Sequence, residues 1–593
     1  MPIVISTYKS LLRLWNYLTI KHKLQFVKLC LLMIFVSFCE IISIGAILPF
    51  LAVFTNPEKV FYHQYAKLFL QIFNIKRPLD LLLPLTICFS FISITVALLR
   101  LYLLYFQNKF SYNLGGRLAL DVYKSALYQP YSVHVSRNSS EIISTISIKV
   151  DNVVGNSIMP SLNLLNSIMM TISILATLIF IKPMFALISF GVFSIIYLLI
   201  SYFIKNYLTK FGNIINLKSN EIIKSLQEGL GGIRDIIIGG TQKVYLSIFE
   251  KTIFPLRNAQ ANVQIISSGP KYIIEGVGMV LISTLAYFIY GRGQNTLNSI
   301  PVIGAFALGA QRLLPVLQQL YLSISALRSG QAGLIDVLNL LDQNNNKNNF
   351  ETTNEIMNFN DKISLSNLKF RYNIDSPLVI NNLDLIIKKG NRIGIIGTTG
   401  SGKSTLLDII MGLQETYSGN FTIDGIELSE KNRITWRKNI AHVPQTIYLS
   451  DSTIEENIAF GIPTEEIDHE LVKIAAKQAK ISDSIDTWGK NYKTLVGERG
   501  VRLSGGQKQR IGIARALYKK ANLIVFDEAT SSLDNETEQS VMESIENLST
   551  DLTLLICAHR YSTLKKCDLI IKIENGSIVK TGLYSDFFNE KNN

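Results

Sequence analysis

The chain has 593 residues, too many for a single hydrophobic core and enough for two or more domains. Nearly half of them (48%) are apolar, and these concentrate before about position 330, which points to membrane spans rather than one oversized globule. Lys and Arg number 58 against 45 acids, a net charge of +13, but they flank apolar runs and form no motif of a nucleic-acid reader, so nucleic acid is excluded as a partner. The five cysteines show neither metal spacing nor a disulfide framework.

In chain order, residues 1–25 open with Tyr8, Leu11, Leu12, Leu14, Trp15 and Leu18 interleaved with Lys9, Arg13 and Asn16, the pattern of an elbow helix lying along a membrane surface. Lys9, Arg13, Lys21, Lys23 and Lys28 all precede the first acid, Glu40, so the positive-inside rule places the N-terminus in the cytoplasm. Six apolar runs follow, near 26–54, 79–106, 156–182, 184–206, 266–290 and 299–325, each long enough for a hydrocarbon core of about 30 Å. An even number of crossings returns the chain to the cytoplasm. The stretches 107–155 and 207–265 are basic and helical in pattern. They read as cytoplasmic extensions that reverse near 131–140 and 228–235, where Gln129-Pro130, Arg137-Asn-Ser-Ser140 and Gly229-Leu-Gly-Gly232 supply turn signals. In the outer loop, Val60, Phe61, Tyr65, Leu68, Phe69, Ile72 and Phe73 predict a short amphipathic helix within 57–75.

Charges inside spans are expensive and normally face a cavity or a partner. Arg100, Lys271 and Arg312 suggest a cationic cavity wall for an anionic solute group, although Arg100 and Lys271 near a boundary can also snorkel. Glu40 and Glu275 are equally candidates for ion-pair partners.

A polar tract, Asp342-Gln-Asn-Asn-Asn-Lys-Asn-Asn349, marks a linker assigned to 331–360, after which 361–585 has the look of a soluble α/β unit. Strand-like segments fall at 363–370, 383–387, 392–396, 439–443, 523–526, 553–556 and 569–573. Between the third of these and a helix lies Gly397-Thr398-Thr399-Gly400-Ser401-Gly402-Lys403-Ser404-Thr405, a phosphate-cradling loop. Its glycines bring backbone N–H groups close to phosphate oxygens, Lys403 reaches the β/γ-phosphates, and Ser404 offers a hydroxyl to Mg²⁺. Leu523-Ile-Val-Phe-Asp527-Glu528 is an apolar strand ending in two acids, suited to a magnesium-associated Asp527 and a Glu528 that polarises the attacking water. Gln445 at a strand end is suited to metal or water, His559 to the γ-phosphate, and Tyr372 to stacking on adenine. Leu503-Ser504-Gly505-Gly506-Gln507 precedes a helix, and Asp534 closes Ser531-Ser-Leu-Asp534.

In identity, order and spacing these motifs resemble the ATP-binding cassette (ABC) transporters, and the resemblance covers the whole chain. It implies an α-helical polytopic membrane domain (26–330, six transmembrane helices with cytoplasmic helical extensions) followed by an α/β P-loop NTPase cassette. It further implies an ATP- and Mg²⁺-dependent ATPase coupled to transport. Six spans followed by one cassette resemble an exporter half-transporter. The reversals would then be coupling helices, and Val496-Gly-Glu-Arg-Gly500 the exporter-specific segment beside them. In that family the signature Ser504 to Gln507 closes on ATP held by a second cassette, which implies a homodimer. Glu40-Ile-Ile-Ser-Ile-Gly-Ala-Ile-Leu-Pro-Phe50, Gly269-Pro-Lys-Tyr-Ile-Ile-Glu-Gly-Val-Gly278 and Gln311-Arg-Leu-Leu-Pro315 resemble bacterial flippases of lipid-linked oligosaccharides. That resemblance implies a multi-pass protein of the bacterial inner (plasma) membrane with cassette and both termini cytoplasmic. It also implies an anionic lipid-linked or amphipathic substrate, taken up among membrane lipids, whose pyrophosphate meets a basic belt at Arg100, Lys271 and Arg312. Gln319 stands where the group can carry a further arginine. A general lipid, drug or peptide exporter, or a non-pumping ATP-gated channel or regulator, are the alternative readings.

Overall fold

The computed structural model describes residues 7–181, 183–291, 296–343, 357–373, 375–529, 534–546, 551–558 and 560–588. It divides into two units, Met1–Gln129 with Ser136–Asn346, and Pro130–Val135 with Lys347–Asn593.

The first unit is helical. Among the described residues, four helical stretches, Ile20–Thr55, Pro78–Leu127, Ser139–Ile181 and Ala186–Gly231, are long and apolar enough to cross a membrane. The helices Pro270–Gly291 and Thr296–Ser329 stand at the places of the fifth and sixth expected spans. The 46-residue helix Leu82–Leu127 runs roughly 69 Å at 1.5 Å per residue, over twice a hydrocarbon core, so it continues well beyond one. Phe91, Leu98 and Leu101 on this helix, and Leu198, Tyr202 and Phe203 on Pro183–Gly231, are exposed, an apolar surface of the kind that lipid or a partner helix covers. Within the first expected reversal, 131–140, a short helix stands at Tyr131–Ser136, and the next begins at Ser139. The second extends further than expected: Ile233–Gly239 forms its own helix, and Gly240 in the left-handed region (φ 61°) turns the chain into Gln242–Ser268. The outer loop is not one amphipathic helix. Pro57–Phe61, Gln64–Ala66 and Lys67–Ile72 are separate short pieces.

The expected linker 331–360 starts as structure. Gln331–Asp342 is a helix, because Leu334, Val337, Leu338 and Leu341 recur at helical spacing and are buried in the first unit's core. Its acids are held too: Asp336 pairs with Lys149, only 1% exposed on a π-helical turn (Thr145–Lys149), and accepts from Asn216 Nδ2 at 2.9 Å. Asp342 takes Arg13 and the Tyr17 hydroxyl of the elbow helix Thr7–Tyr17. Burial and that carboxylate push the Tyr17 phenol up to about 12.

The second unit contains two sheets. β1 (Lys362–Phe370), β2 (Ile380–Lys388), β4 (Ser418–Ile423) and β5 (Ile426–Glu427) form an antiparallel sheet in the order β2-β1-β4-β5. The other comprises β3 (Arg392–Ile396), β6 (Ile440–Val443), β7 (Leu523–Asp527), β8 (Thr553–Cys557), β9 (Leu569–Glu574) and β10 (Ser577–Gly582), in the order β10-β9-β3-β8-β7-β6. Only β10 runs antiparallel to its neighbour there. Burial on both faces explains the near-continuous apolar runs of β3, β7 and β8. The helix Lys403–Ile410 packs in one core with β1, β3 and Trp436, whose Nε1 donates to Ile410 O at 2.8 Å. The loop ahead of that helix therefore springs from the carboxyl end of a central parallel strand, where α/β sheets bind ligands.

Candidate ATP site and membrane cavity

Two glycines of the 397–405 loop stand where a side chain has no room, and Gly400 where the backbone is left-handed (φ 82°). A Cβ on Gly397 would lie 2.4 Å from Ile573 O, and Gly402 (φ 103°) leads the chain into Lys403–Ile410 through backbone that side chains rarely adopt. Lys403 folds back, its Nζ donating to Gly397 O at 2.8 Å and Thr398 O at 3.0 Å. The Ser401 hydroxyl is buried without a protein partner. A cradle with no room for a Cβ, an orphaned hydroxyl, a lysine and a helix N-terminus together fit the phosphates of a nucleotide.

Acids arrive from the adjacent strands. Asp527 ends β7 in register with Cys557 of β8, and burial first, then Glu528, raises its carboxyl above the usual range, while Lys403 and a hydrogen bond with Ser404 pull the other way. Such a site fits a divalent cation, whose charge would relieve this repulsion. Glu528 sits in left-handed backbone (φ 53°) and accepts from Gln445 Nε2 at 2.7 Å. Ser404, Asp527, Glu528 and Gln445 are thus brought into one cluster. Tyr372 donates to or accepts from Thr405 Oγ1 at 3.0 Å; its ring meets Phe370 edge-on at 5.0 Å and is half exposed, leaving surface for a planar base.

Ser504 and Gln507 form a reciprocal cap on the helix Gly505–Tyr518: Ser504 N donates to Gln507 Oε1 at 2.9 Å, and Gln507 N to Ser504 Oγ at 3.2 Å. The segment Val496–Gly500 lies against this helix, where Lys508 Nζ donates to Arg499 O at 2.9 Å. Asp534 caps the next helix through Thr537 N at 3.0 Å, which holds its carboxyl below the usual range. His559 lies outside the described residues. Two participants gave no motif signal: Cys557, hydrogen-bonded to Asp527, and Asp408 on the P-loop helix, pushed up to about 6 by burial and by Asp527. Only the strand register and the packing of that helix reveal them.

In the first unit, Arg100 and Arg312 line one cavity of about 720 Å³ together with Gln107, Asn163, Asn166 and Gln311 and a mainly apolar remainder. Between them stands Glu40, fully buried: Arg312 donates to its Oε1 and, at 3.3 Å, to Ser43 Oγ, and Arg100 Nη2 lies 2.6 Å from its Oε2. The cationic wall is therefore a triad with net charge of one. Lys271 is not among the residues lining that cavity; it pairs instead with Glu275 one helical turn away at 3.8 Å.

A family model described as the ABC transporter transmembrane region matches residues 27–308, and one described as ABC transporter matches 380–531. The multidrug resistance-like ATP-binding protein MdlA of Buchnera aphidicola is 30% identical over 508 residues, spanning 84% of this chain and 86% of that protein. The chain belongs to the ABC transporters. An ATP-dependent lipid A-core flippase of Saccharophagus degradans is 28% identical over 478 residues, covering 81% of this chain and 80% of its own. The structure of a bacterial Atm1-family ABC exporter with ATP bound superposes with a TM-score of 0.78 at 20% identity, covering 95% of this chain and 96% of that one, which establishes the shared fold.

As an exporter-type ABC half-transporter, the protein is integral to a membrane and couples ATP hydrolysis to transport. The ABC transporter family model over 380–531 implies ATP binding by this unit; the loop 397–405 fits a nucleotide's phosphates, and Glu528 accepts from Gln445 Nε2 in the same cluster. Both arginines of the cavity are legible in the sequence as charges within apolar runs, and Glu40 as a candidate partner; Gln107, Asn163 and Asn166 are not, because Asn and Gln in apolar helices carry no motif.

Proposed function

We propose that this ABC transporter is an ATP-driven flippase moving a polyprenyl-pyrophosphate-linked oligosaccharide, or a similar anionic glycolipid, across the bacterial plasma membrane. The carrying observation is the convergence of Arg100 and Arg312 on one membrane-unit cavity, since cations retained at that depth normally serve a solute pathway. Six spans return the cassette and both termini to the cytoplasm. The protein works as a homodimer: Gly397 to Thr405, Tyr372 and Asp534 of one copy, with Ser504, Gly505, Gly506 and Gln507 of the other, enclose each ATP. Ser404, Gln445 and Asp527 would hold Mg²⁺, Glu528 would polarise water, and His559 would contact the γ-phosphate. The cation supplies neutralisation of phosphate charge; the residues position and orient. Closure of the cassettes on ATP, and its release on hydrolysis, drives the membrane unit between states.

The test is reconstitution into liposomes with defined lipid-linked saccharides and measurement of the flipped fraction with and without ATP. ATP-dependent flipping that falls when Arg100 and Arg312 are both replaced by Gln supports the reading; flipping untouched by that double change refutes the basic wall. One observation favours a second reading, export of general lipids, drugs or peptides: Glu40 cancels one of the two arginine charges in a cavity that is otherwise mainly apolar. Uncharged amphipaths would then compete as well as diphosphate lipids do.

A further inference from the structure

The cavity wall carries more than charge. Arg100 and Gln107 sit one heptad apart on Leu82–Leu127, and Asn163 and Asn166 lie three apart on Met159–Ile181, so each pair shares a helix face. Gln107 is 5% exposed, and its Nε2 donates to Asn163 Oδ1 across the two helices. Two atoms of this wall remain buried without a protein partner: the acceptor Asn166 Oδ1 and the donor Arg100 Nε. Polar groups of this kind are expensive in an apolar helix bundle and are retained there for a ligand, a partner helix or water.

An orphaned acceptor and an orphaned cationic donor on one cavity wall ask for a ligand bearing both a hydroxyl and an anionic oxygen. An acyl chain or an apolar drug offers neither. An ionised bare phosphate offers acceptors only. A sugar joined to phosphate offers both, and its C–H face has a surface to lie on: Phe50 and Phe89, lining the same cavity, are stacked with centroids 4.9 Å apart at 13°. We infer that Gln107, Asn163 and Asn166 form a subsite for the hydroxyls of the sugar nearest the phosphate, so that the transporter selects glycosylated over bare anionic lipid. This rests on the flippase reading above and adds to it a recognition of the glycan itself.

The experiment puts the full-length protein into liposomes carrying equal amounts of polyprenyl pyrophosphate and polyprenyl pyrophosphate bearing one monosaccharide, and reads the ratio of their ATP-dependent flipping. The wild type should favour the glycosylated lipid by about tenfold, the worth of roughly one good hydrogen bond. Asn166→Leu should bring that ratio close to unity, and Asn166→Gln should restore part of it. A wild-type ratio of one overturns the subsite without needing any variant, and so does an Asn166→Leu protein that keeps the full ratio. A wild type that moves neither polyprenyl lipid defeats the flippase reading instead, so the two failures are distinguishable.

Discussion

Replacing Glu40 by Gln removes the carboxylate shared by two arginines while keeping its size. The carboxylate is wholly enclosed, whereas the side chains of Arg312 and Arg100 are 27% and 41% exposed. Breaking a fully buried ion pair costs about 3–5 kcal/mol, because an uncompensated charge stays behind. Here the charges left behind are the arginines, which recover part of their solvation, so the expected cost of Glu40→Gln falls to roughly 2 kcal/mol. Arg312→Gln leaves Glu40 buried beside Arg100 alone and should cost a similar amount, about 2 kcal/mol. If the two side chains act on each other, the double variant loses less than the sum of the singles, by on the order of 1–2 kcal/mol. The assay is a double-mutant cycle: equilibrium unfolding of the purified full chain in mixed micelles for wild type, both singles and the double. Additivity to within about 0.5 kcal/mol would refute the claim that Glu40 binds the wall together.

Three further outcomes follow from the cassette. Glu528→Gln keeps an oxygen to accept from Gln445 but removes the base, so ATP turnover should fall by about 10²–10⁴ while nucleotide-induced thermal stabilisation persists; a loss below tenfold in phosphate release contradicts the assignment. Gly402→Ala places a Cβ 3.0 Å from both Val379 O and Ile380 Cδ1 at φ 103°, which should add strain of about 1–2 kcal/mol. ATP should then stabilise the variant less than the wild type in a thermal shift, and an unaltered shift counts against the cradle. Asp424 is pushed up by desolvation, but backbone N–H donors of Asn360, Lys362 and Asp361 outweigh this and hold its carboxyl below the ordinary value. A depressed carboxyl stabilises the fold above the unfolded-state value of about 4 and loses that contribution as pH falls through the folded one. Asp424→Asn should therefore lower the unfolding midpoint at pH 7, and the gap to wild type should narrow towards pH 3.5; a constant gap speaks against the linkage.

Much of the cassette was legible because its chemistry is local. The loop 397–405, the strand ending in Asp527 and Glu528, and the cap Ser504 to Gln507 are contiguous segments whose residues work as neighbours in the chain. All seven strands expected from apolar runs are present, in β1, β2, β3, β6, β7, β8 and β9. β4, β5 and β10 went unforeseen: Gly419 and Asn420 dilute the first, the second has only two residues, and β10 lies at a sheet edge with its middle exposed. The helix Gln331–Asp342 was hidden for another reason, since the polar tract that begins at its end drew the boundary too early.

The sequence by itself determined the order of membrane helices and cassette and the chemistry of the phosphate loop, because hydropathy and backbone geometry are written in consecutive residues. Tertiary structure alone decided which distant side chains meet. Glu40 lies 60 residues before Arg100 and 272 before Arg312, yet it is the buried group between them, while Lys271, equally basic and equally within an apolar run, pairs along its own helix. Gln445 reaches Glu528 across 83 residues because β6 and β7 pair in parallel. Charge and periodicity say that such a residue needs a partner; only the packing of one helix or strand on another says which partner it gets.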